Sequence, residues 1–358
     1  SRRAPTVRTL SHRSLFDGSL VLMTTFTAPP PRHAVVIANP TAGTMDDVLL
    51  DGVLALFAEA GKEVTLRRTR RVGDAAAAAR AACERRDPAA DLIVAVGGDG
   101  TVHEVVDGMT RARPDRPDPG PALAVVPAGT GNSGYLMLWG ERPWRESLRD
   151  VLTGDAARRR LDLARVAETG AKVFLGACSG VIADALRVAR SVPLSGRARY
   201  ARAFAETAEA FTPYPGRVTV DGTVLHEGGT VLANVGGGRH RGGQYRVLPR
   251  SEYDDGLLDV CVVDASVPPP LVPELTRNGE HLGSPGVFYG RGRRVVVERL
   301  DGVPLCFEHD GELQPPTLRR ITLEVLPAAL PVWGGRGAAE FSAGHSRAGA
   351  GLDTADPV

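Results

Sequence analysis

The segment Leu92-Ile93-Val94-Ala95-Val96-Gly97-Gly98-Asp99-Gly100-Thr101 constrains this chain more than any other. A short apolar run of strand length breaks into three glycines around one aspartate, and Thr101-x-x-Glu104 then opens what reads as a helix. Glycines let a backbone approach a ligand closely and turn its N–H groups toward an anion. The capping-box spacing of Thr101 and Glu104 predicts a helix N-terminus facing the same loop with its partial positive charge. A carboxylate set among such amides, Asp99, is suited to hold a cation or orient a nucleophile. The loop is not a G-x-x-x-x-G-K-[ST] segment, because no Gly-Lys in the chain precedes Ser or Thr, and its spacing is not G-x-G-x-x-G. It reads as a loop for nucleotide phosphates.

Around this loop, residues 33 to 155 alternate strand and helix. Strands are expected at 34–39, 63–69, 92–97 and 122–127, and helices at 45–60, 74–86, 101–111 and 144–153. Such alternation implies a parallel sheet with helices on both faces and ligands at the carboxyl ends of its strands, where Asn39, Thr69, Asp99 and Thr130 fall. From about 158 the pattern changes to short strands with turn punctuation, at 159–166, 172–178, 216–221, 230–236, 257–263, 293–299, 304–309 and 320–326. Asp221-Gly222 and Asp301-Gly302 are hairpin signals, and one helix interrupts at about 196–211, with Tyr200, Phe204 and Phe211 on one face. The stripe reads as core rather than as a lipid groove. The expected architecture is an α/β nucleotide-binding domain over 33–155 and a mainly antiparallel β-sandwich over 156–328, with flexible tails at 1–32 and 329–358.

At this point the sequence resembles the diacylglycerol-kinase-like lipid kinases, which include bacterial lipid kinases, sphingosine kinases and ceramide kinases. The hallmark GGDGT is Gly97 to Thr101. Asn39-Pro40-Thr41-Ala42-Gly43 resembles the family's NPxxG loop, and Pro127-Ala128-Gly129-Thr130-Gly131-Asn132 its PxGTxN loop. Asn234 to Gly238 with Gly242-Gly243, Asp255-Gly256-Leu257-Leu258-Asp259, and Asp310-Gly311-Glu312 stand where the family has NGxxxGGG, DGxLD and DGE. The match runs over roughly residues 33 to 327. The resemblance implies an ATP- and Mg²⁺-dependent transfer of the γ-phosphate to a hydroxyl of a lipid or other apolar small molecule, with the acceptor between the two domains. It implies nucleotide contacts from Asn39, Pro40, Gly43, Thr69, Gly97, Gly98, Gly100, Thr101, Glu104, Gly129, Thr130 and Asn132. Asp99 and Glu312 take the catalytic roles, Glu312 as general base, and Asp310 makes the turn before it. Asp255, with the carbonyls of Glu252 and Leu257, matches a structural magnesium site away from the chemistry. Read without the resemblance, Asp255-Gly256 and Asp310-Gly311 are ordinary turns, and the capping box alone accounts for Glu104.

Three positions depart from the family. Ser133 stands where bacterial members carry Asp, His103 replaces the usual Asn after GGDGT, and Leu186 occupies the site at which sphingosine kinases place an amine-binding Asp. The acceptor is therefore expected to be an unusual alcohol. The remaining readings are a kinase of the same fold acting on a soluble alcohol, and an inactive nucleotide-binding module.

A formal net charge of +1 gives no general reason to expect nucleic acid as a partner. The arginine clusters at Arg67 to Arg71 and Arg158 to Arg160 read as solvated faces, with attraction to anionic headgroups as the alternative. Cys83, Cys178, Cys261 and Cys306 form no CxxC pair and fit reduced, mostly buried thiols, and the eight histidines show no zinc-ligand spacing. No apolar run reaches the roughly 18 residues that span a bilayer, and no secretory leader is recognisable. These features predict a cytoplasmic protein, with peripheral membrane contact and a homodimer kept open.

Overall fold

Strand β1 (His33–Ala38), β3 (Leu92–Gly97) and β4 (Ala122–Pro127) are almost wholly buried runs of small and branched apolar residues, as strands covered on both faces must be. With the half-exposed, charged edge strand β2 (Glu63–Arg68) they pair in parallel in the order β4-β3-β1-β2. The structure, a computed structural model, describes residues 29–84, 89–112 and 120–335; most of both expected tails lies outside these residues. Helices α1 (Asp47–Glu59), α2 (Asp74–Glu84), α3 (Asp99–Ala112) and α5 (Trp144–Thr153) fall where the sequence places them, apart from their end residues. Asp46 caps α1, accepting the Leu49 N–H at 2.7 Å. The additional α4 (Ser133–Trp139) is buried nearly all round, so it lacks the polar face from which a helical period is read.

The second half is built on antiparallel pairs. Its elements are β5 (Ala157–Val166), β6 (Lys172–Val173), β7 (Ala177–Gly180), α6 (Val181–Ala189), α7 (Gly196–Ala210), β8 (Tyr214–Val220), β9 (Thr223–Gly236), β10 (Leu258–Asp264), α8 (Val272–Arg277), β11 (Val287–Gly292), β12 (Arg294–Arg299), β13 (Phe307–His309), β14 (Glu312–Leu313) and β15 (Arg320–Gly334). Asp221 and Gly222, at φ 47° and 87°, make the tight turn between β8 and β9 that an Asp-Gly pair predicts. Asp301-Gly302 does not close a hairpin: β12 pairs with β8 and β15, while β13 pairs with β7 and β14. Helix 196–211 is not the sole interruption, since α6 packs beside α7. The expected strand at 172–178 splits because residues 174–176 leave the ladder to serve the site described below.

The expected tail from 329 is also corrected. The strand expected at 320–326 continues as β15 to Gly334 after a register shift between Leu326 and Leu330. Its first part pairs with β12, and its last residues lie beside β4, with Val332 opposite Leu123. Leu330, Val332 and Trp333 are buried in the core of the N-terminal sheet. One strand thereby joins both halves into a single continuous sheet, and the carboxyl ends of β1, β3 and β4 face the second half.

Candidate active site

Three loops at those strand ends are held together by side-chain and backbone hydrogen bonds. Asn39 accepts from the Thr41 N–H (3.0 Å) and Thr41 hydroxyl (2.8 Å) and donates to the Thr101 hydroxyl (3.0 Å), tying the loop after β1 to the one after β3. The Thr44 N–H donates to the Ala128 carbonyl and the Ala128 N–H to the Gly97 carbonyl, both at 2.9 Å. Gly98 and Gly129 touch: a Cβ on Gly129 would lie 2.3 Å from the Gly98 Cα. Gly43 lies against the Thr130 hydroxyl, and Pro40 is exposed at the rim. Asn132, at φ 55°, accepts the Gly129 N–H and donates to the Gly129 carbonyl, each at 2.9 Å, and so clamps its own turn. Gly97 and Gly98 lead directly into α3, and Gly100 and Thr101 lie in its first turn, whose N–H groups have no partners within the helix.

The capping box expected of Thr101 and Glu104 is not formed. Helix α3 begins two residues earlier, at Asp99, and Asn39 takes the Thr101 hydroxyl. Glu104 instead reaches across to the start of α2, accepting from Gly73 N–H (2.9 Å) and Ala75 N–H (3.2 Å). Its carboxylate, buried Thr69, Asn39 and the exposed Arg70 and Arg71 line a side pocket of about 220 Å³.

Asp99 opens α3, and its two oxygens accept the N–H groups of Ser133 (3.0 Å) and Gly134 (2.9 Å) at the start of α4. Burial pushes its carboxyl above the usual carboxylate range, against those two donors, and the charge of Asp310 adds to the rise. A buried carboxylate with a raised pKa beside the glycine-loop amides is set up to meet a cation or a proton. The Ser133 hydroxyl, where the resembling bacterial enzymes have an acid, accepts the Gly243 N–H at 3.0 Å and stitches α4 to the glycine loop of the second half.

The β13–β14 hairpin turns at Asp310 (φ 52°) and Gly311 (φ 85°). Asp310 does far more than turn the chain. Its carboxylate is buried and accepts the N–H groups of Phe174 (2.8 Å), Leu175 (2.7 Å) and Gly176 (3.2 Å), together with His103 Nδ1 (2.7 Å). Glu312, two residues on, is exposed at the hairpin's edge. A cavity of about 360 Å³ brings these parts together: Asp99, Gly100, Thr130 and Gly131 from the first half face Asp310 and Glu312 from the second. Its apolar wall is made by Ile182, Ala185 and Leu186 of α6, Tyr200 and Phe204 of α7, and Tyr245. The stripe on α7 is therefore divided, with Phe204 buried and Tyr200 at the mouth, while Phe211 packs in the core.

Two family models cover this arrangement in tandem. The Diacylglycerol kinase catalytic domain matches residues 33–166, and the YegS C-terminal NAD kinase beta sandwich-like domain matches 176–334. The chain belongs to the diacylglycerol-kinase-like lipid kinases. It is a phosphotransferase of the alcohol-acceptor class. A diacylglycerol kinase of Bacillus subtilis is 28% identical over 289 residues, covering 78% of this chain and 90% of that protein. A probable lipid kinase YegS-like of Stenotrophomonas maltophilia is 28% identical over 350 residues, covering 85% and 99%. A crystal structure of a putative diacylglycerol kinase from Bacillus anthracis shares the fold at a TM-score of 0.63 with 23% identity, covering 84% of this chain and 97% of that one.

Within this lipid-kinase framework the site at 252–257 lies apart from the cavity. Asp255 accepts the Leu257 N–H at 3.0 Å and pairs with Arg291, whose Nε is also 3.4 Å from Asp259. Asp259 is fully buried, keeps its Oδ2 without a partner among the described residues, and is pushed up to about 6 by that burial. Leu186 leaves the α6 wall apolar, and Asp184 is engaged by Arg187. The arginine clusters fasten rather than float in part: Arg159 is buried on Asp254 (3.1 Å), and Arg158 and Arg160 donate to the carbonyls of Gly120 and Ala328. All four cysteines are free, three of them buried. No helix among the described residues is long and apolar enough to cross a membrane. Sequence reasoning missed the His103–Asp310 pair and the 174–176 loop, because partners about 135 and 207 positions apart leave no local spacing to read.

Proposed function

We propose that this chain transfers the γ-phosphate of ATP, with Mg²⁺, to the hydroxyl of a lipid or other largely apolar small molecule. The observation that carries the reading is the single cavity in which Asp99 and the glycine loops face Glu312 beside an apolar wall. Phosphoryl transfer asks the protein for charge stabilisation and in-line placement more than for covalent chemistry. The N–H groups of the Gly97–Thr101 loop and of residues 130–132 receive the nucleotide phosphates. Asn39, Thr69, Gly43 and Glu104 shape the side of that floor. Asp99, fixed by two backbone donors, orients the acceptor hydroxyl or the nucleotide's magnesium, and Glu312 accepts the hydroxyl proton. Magnesium bound with the nucleotide beside Asp99 would supply neutralisation of the charge on the transferred group.

A second, structural magnesium fits the donor chemistry at 252–259, which offers hard oxygens, one of them a buried Asp259 oxygen without a partner among the described residues. Asp255 and the carbonyls of Glu252 and Leu257 would hold it, with Arg291 giving way. The mouth of the cavity supports contact with a membrane surface. Tyr200 is exposed there, and Leu194 is exposed on the same segment, which carries Arg187, Arg190, Arg197, Arg199 and Arg202.

The test is phosphate transfer from labelled ATP to a panel of mono- and diacylglycerols, long-chain alcohols, sphingoid bases and soluble polyols. Turnover is expected on apolar alcohols, falling roughly 10²- to 10⁴-fold in Glu312→Gln. The unfolding midpoint of that variant stays within a degree or two, since the side chain is exposed. Transfer only to soluble alcohols would move the substrate class. ATP binding without any transfer would leave a nucleotide-binding module.

A further inference from the structure

We infer that His103 is a positioning residue: its imidazolium bridges the crevice to Asp310 and holds the Glu312 hairpin against the helix that presents Asp99. The catalytic half of this inference rests on the kinase reading above; the bridge itself does not. His103 lies one helical turn beyond Asp99 on α3, so both project from the same face of one rigid element. Asp310 and Glu312 sit two residues apart on one tight hairpin. A 2.7 Å contact between His103 Nδ1 and Asp310 Oδ2 therefore fixes the base-bearing hairpin relative to the nucleotide loop. The same carboxylate holds the N–H groups of 174–176, so this one bridge also sets the Leu175 wall of the cavity.

Charge explains why a histidine suits this place. Asp99, Glu308, Asp310 and Glu312 all line the cavity, and bound nucleotide adds more negative charge. The groups facing His103 are Asp310 and Glu312 from the hairpin, His309 beside its ring at 5.7 Å between centroids, and Asp107 of its own helix. Burial disfavours the imidazolium, but the hydrogen bond and charge of Asp310, helped by Glu312 and Asp107, outweigh it and raise the pKa. Burial lowers the pKa of His309, against the charge of Asp310 and helped by the charge on His103. Ligand atoms of His103, His309 and Asp310 lie within 4.8 Å of one another, as in a metal site. Asp310 already accepts four donors, which leaves a shared proton rather than a metal as the occupant.

The sign of the pH dependence follows. A histidine raised by its partner contributes stability that is full below its unfolded pKa and is lost as pH rises through the folded value. Asp310 is lowered overall, since the bond to His103, the charge of His103 and the Phe174 N–H outweigh its burial. Its contribution is present above the unfolded carboxylate value and lost as pH falls through the folded one. The bridge is at full strength from about pH 4 to about pH 6.5 and fades on the alkaline side.

The experiment compares the full wild-type chain with His103→Asn, which keeps a donor and removes the charge. We expect kcat to fall about tenfold with KM for ATP and acceptor changed less than twofold, and the alkaline limb of the kcat profile to flatten. The difference in unfolding midpoint should be largest near pH 6 and vanish by about pH 9. In wild type, the His103 Cε1 resonance should titrate above the ordinary histidine value of about 6.5. An unchanged kcat and pH profile, or a midpoint difference equal at both pH values, overturns the inference. So does a resonance that titrates below the ordinary value. If wild type phosphorylates no alcohol, the kinase reading fails, while the midpoint and resonance measurements still decide the bridge.

Discussion

Asp99→Asn is expected to slow phosphate transfer by roughly 10³-fold while leaving ATP bound within a few-fold of wild-type affinity. The substitution preserves shape and removes charge. One amide oxygen still accepts an N–H from Ser133 or Gly134, but the amide nitrogen then meets the other donor. That mismatch costs about 1–3 kcal/mol, partly offset because a buried charge no longer has to be stripped of water. The unfolding midpoint therefore moves by a few degrees at most, and single-turnover transfer separates lost chemistry from lost fold. Turnover within threefold of wild type would remove Asp99 from the reaction and with it the proposed mechanism.

The second large effect is expected from Gly129→Ala. The new Cβ lies 2.3 Å from the Gly98 Cα and 3.2 Å from the Asn132 side-chain oxygen, so backbone meets backbone and no flexible side chain can yield. Relief requires the loops after β3 and β4 to separate, breaking the Ala128–Gly97 bond and the Asn132 clamp on Gly129. Overpacking of this kind costs about 1–3 kcal/mol, and the nucleotide floor loses its spacing, so ATP affinity should fall by one to two orders of magnitude. Gly100→Ala is the control for stability alone, because a Cβ there meets nothing within 4 Å. Its midpoint should hold or rise slightly, Ala being the better helix former. Differential scanning calorimetry and ATP titration of the two variants decide the matter. Equal stability of Gly129→Ala and wild type would show that the two loops are not held in contact.

The buried strands β1, β3 and β4 and the glycine loops were legible because each is a local pattern: an apolar run ended by residues with special backbone freedom. The capping box of Thr101 and Glu104 was misread because its spacing is local, and only the position of α2 shows that the Glu104 carboxylate caps a neighbour. Asp310 looked like a turn residue for the same reason. Its three backbone donors come from a segment about 135 positions away that sacrifices its own strand pairing to reach it. Helix α4 and the end of β15 were hidden by the opposite problem, since an element buried on every side has no polar face to mark its period.

The last stretch of β15 has a consequence for biosynthesis. Strand β4 leaves the ribosome about 200 residues before Val332 and Trp333 arrive to cover its flank. At about 5–20 residues per second, the nucleotide unit waits on the order of ten to forty seconds with that flank bare. Protease digestion of nascent chains stalled before residue 320 should cut within the first 155 residues, and stalled chains carrying residue 334 well beyond the exit tunnel should resist. Translation order thereby makes β15 the closing stitch of the sheet that β1, β3 and β4 began.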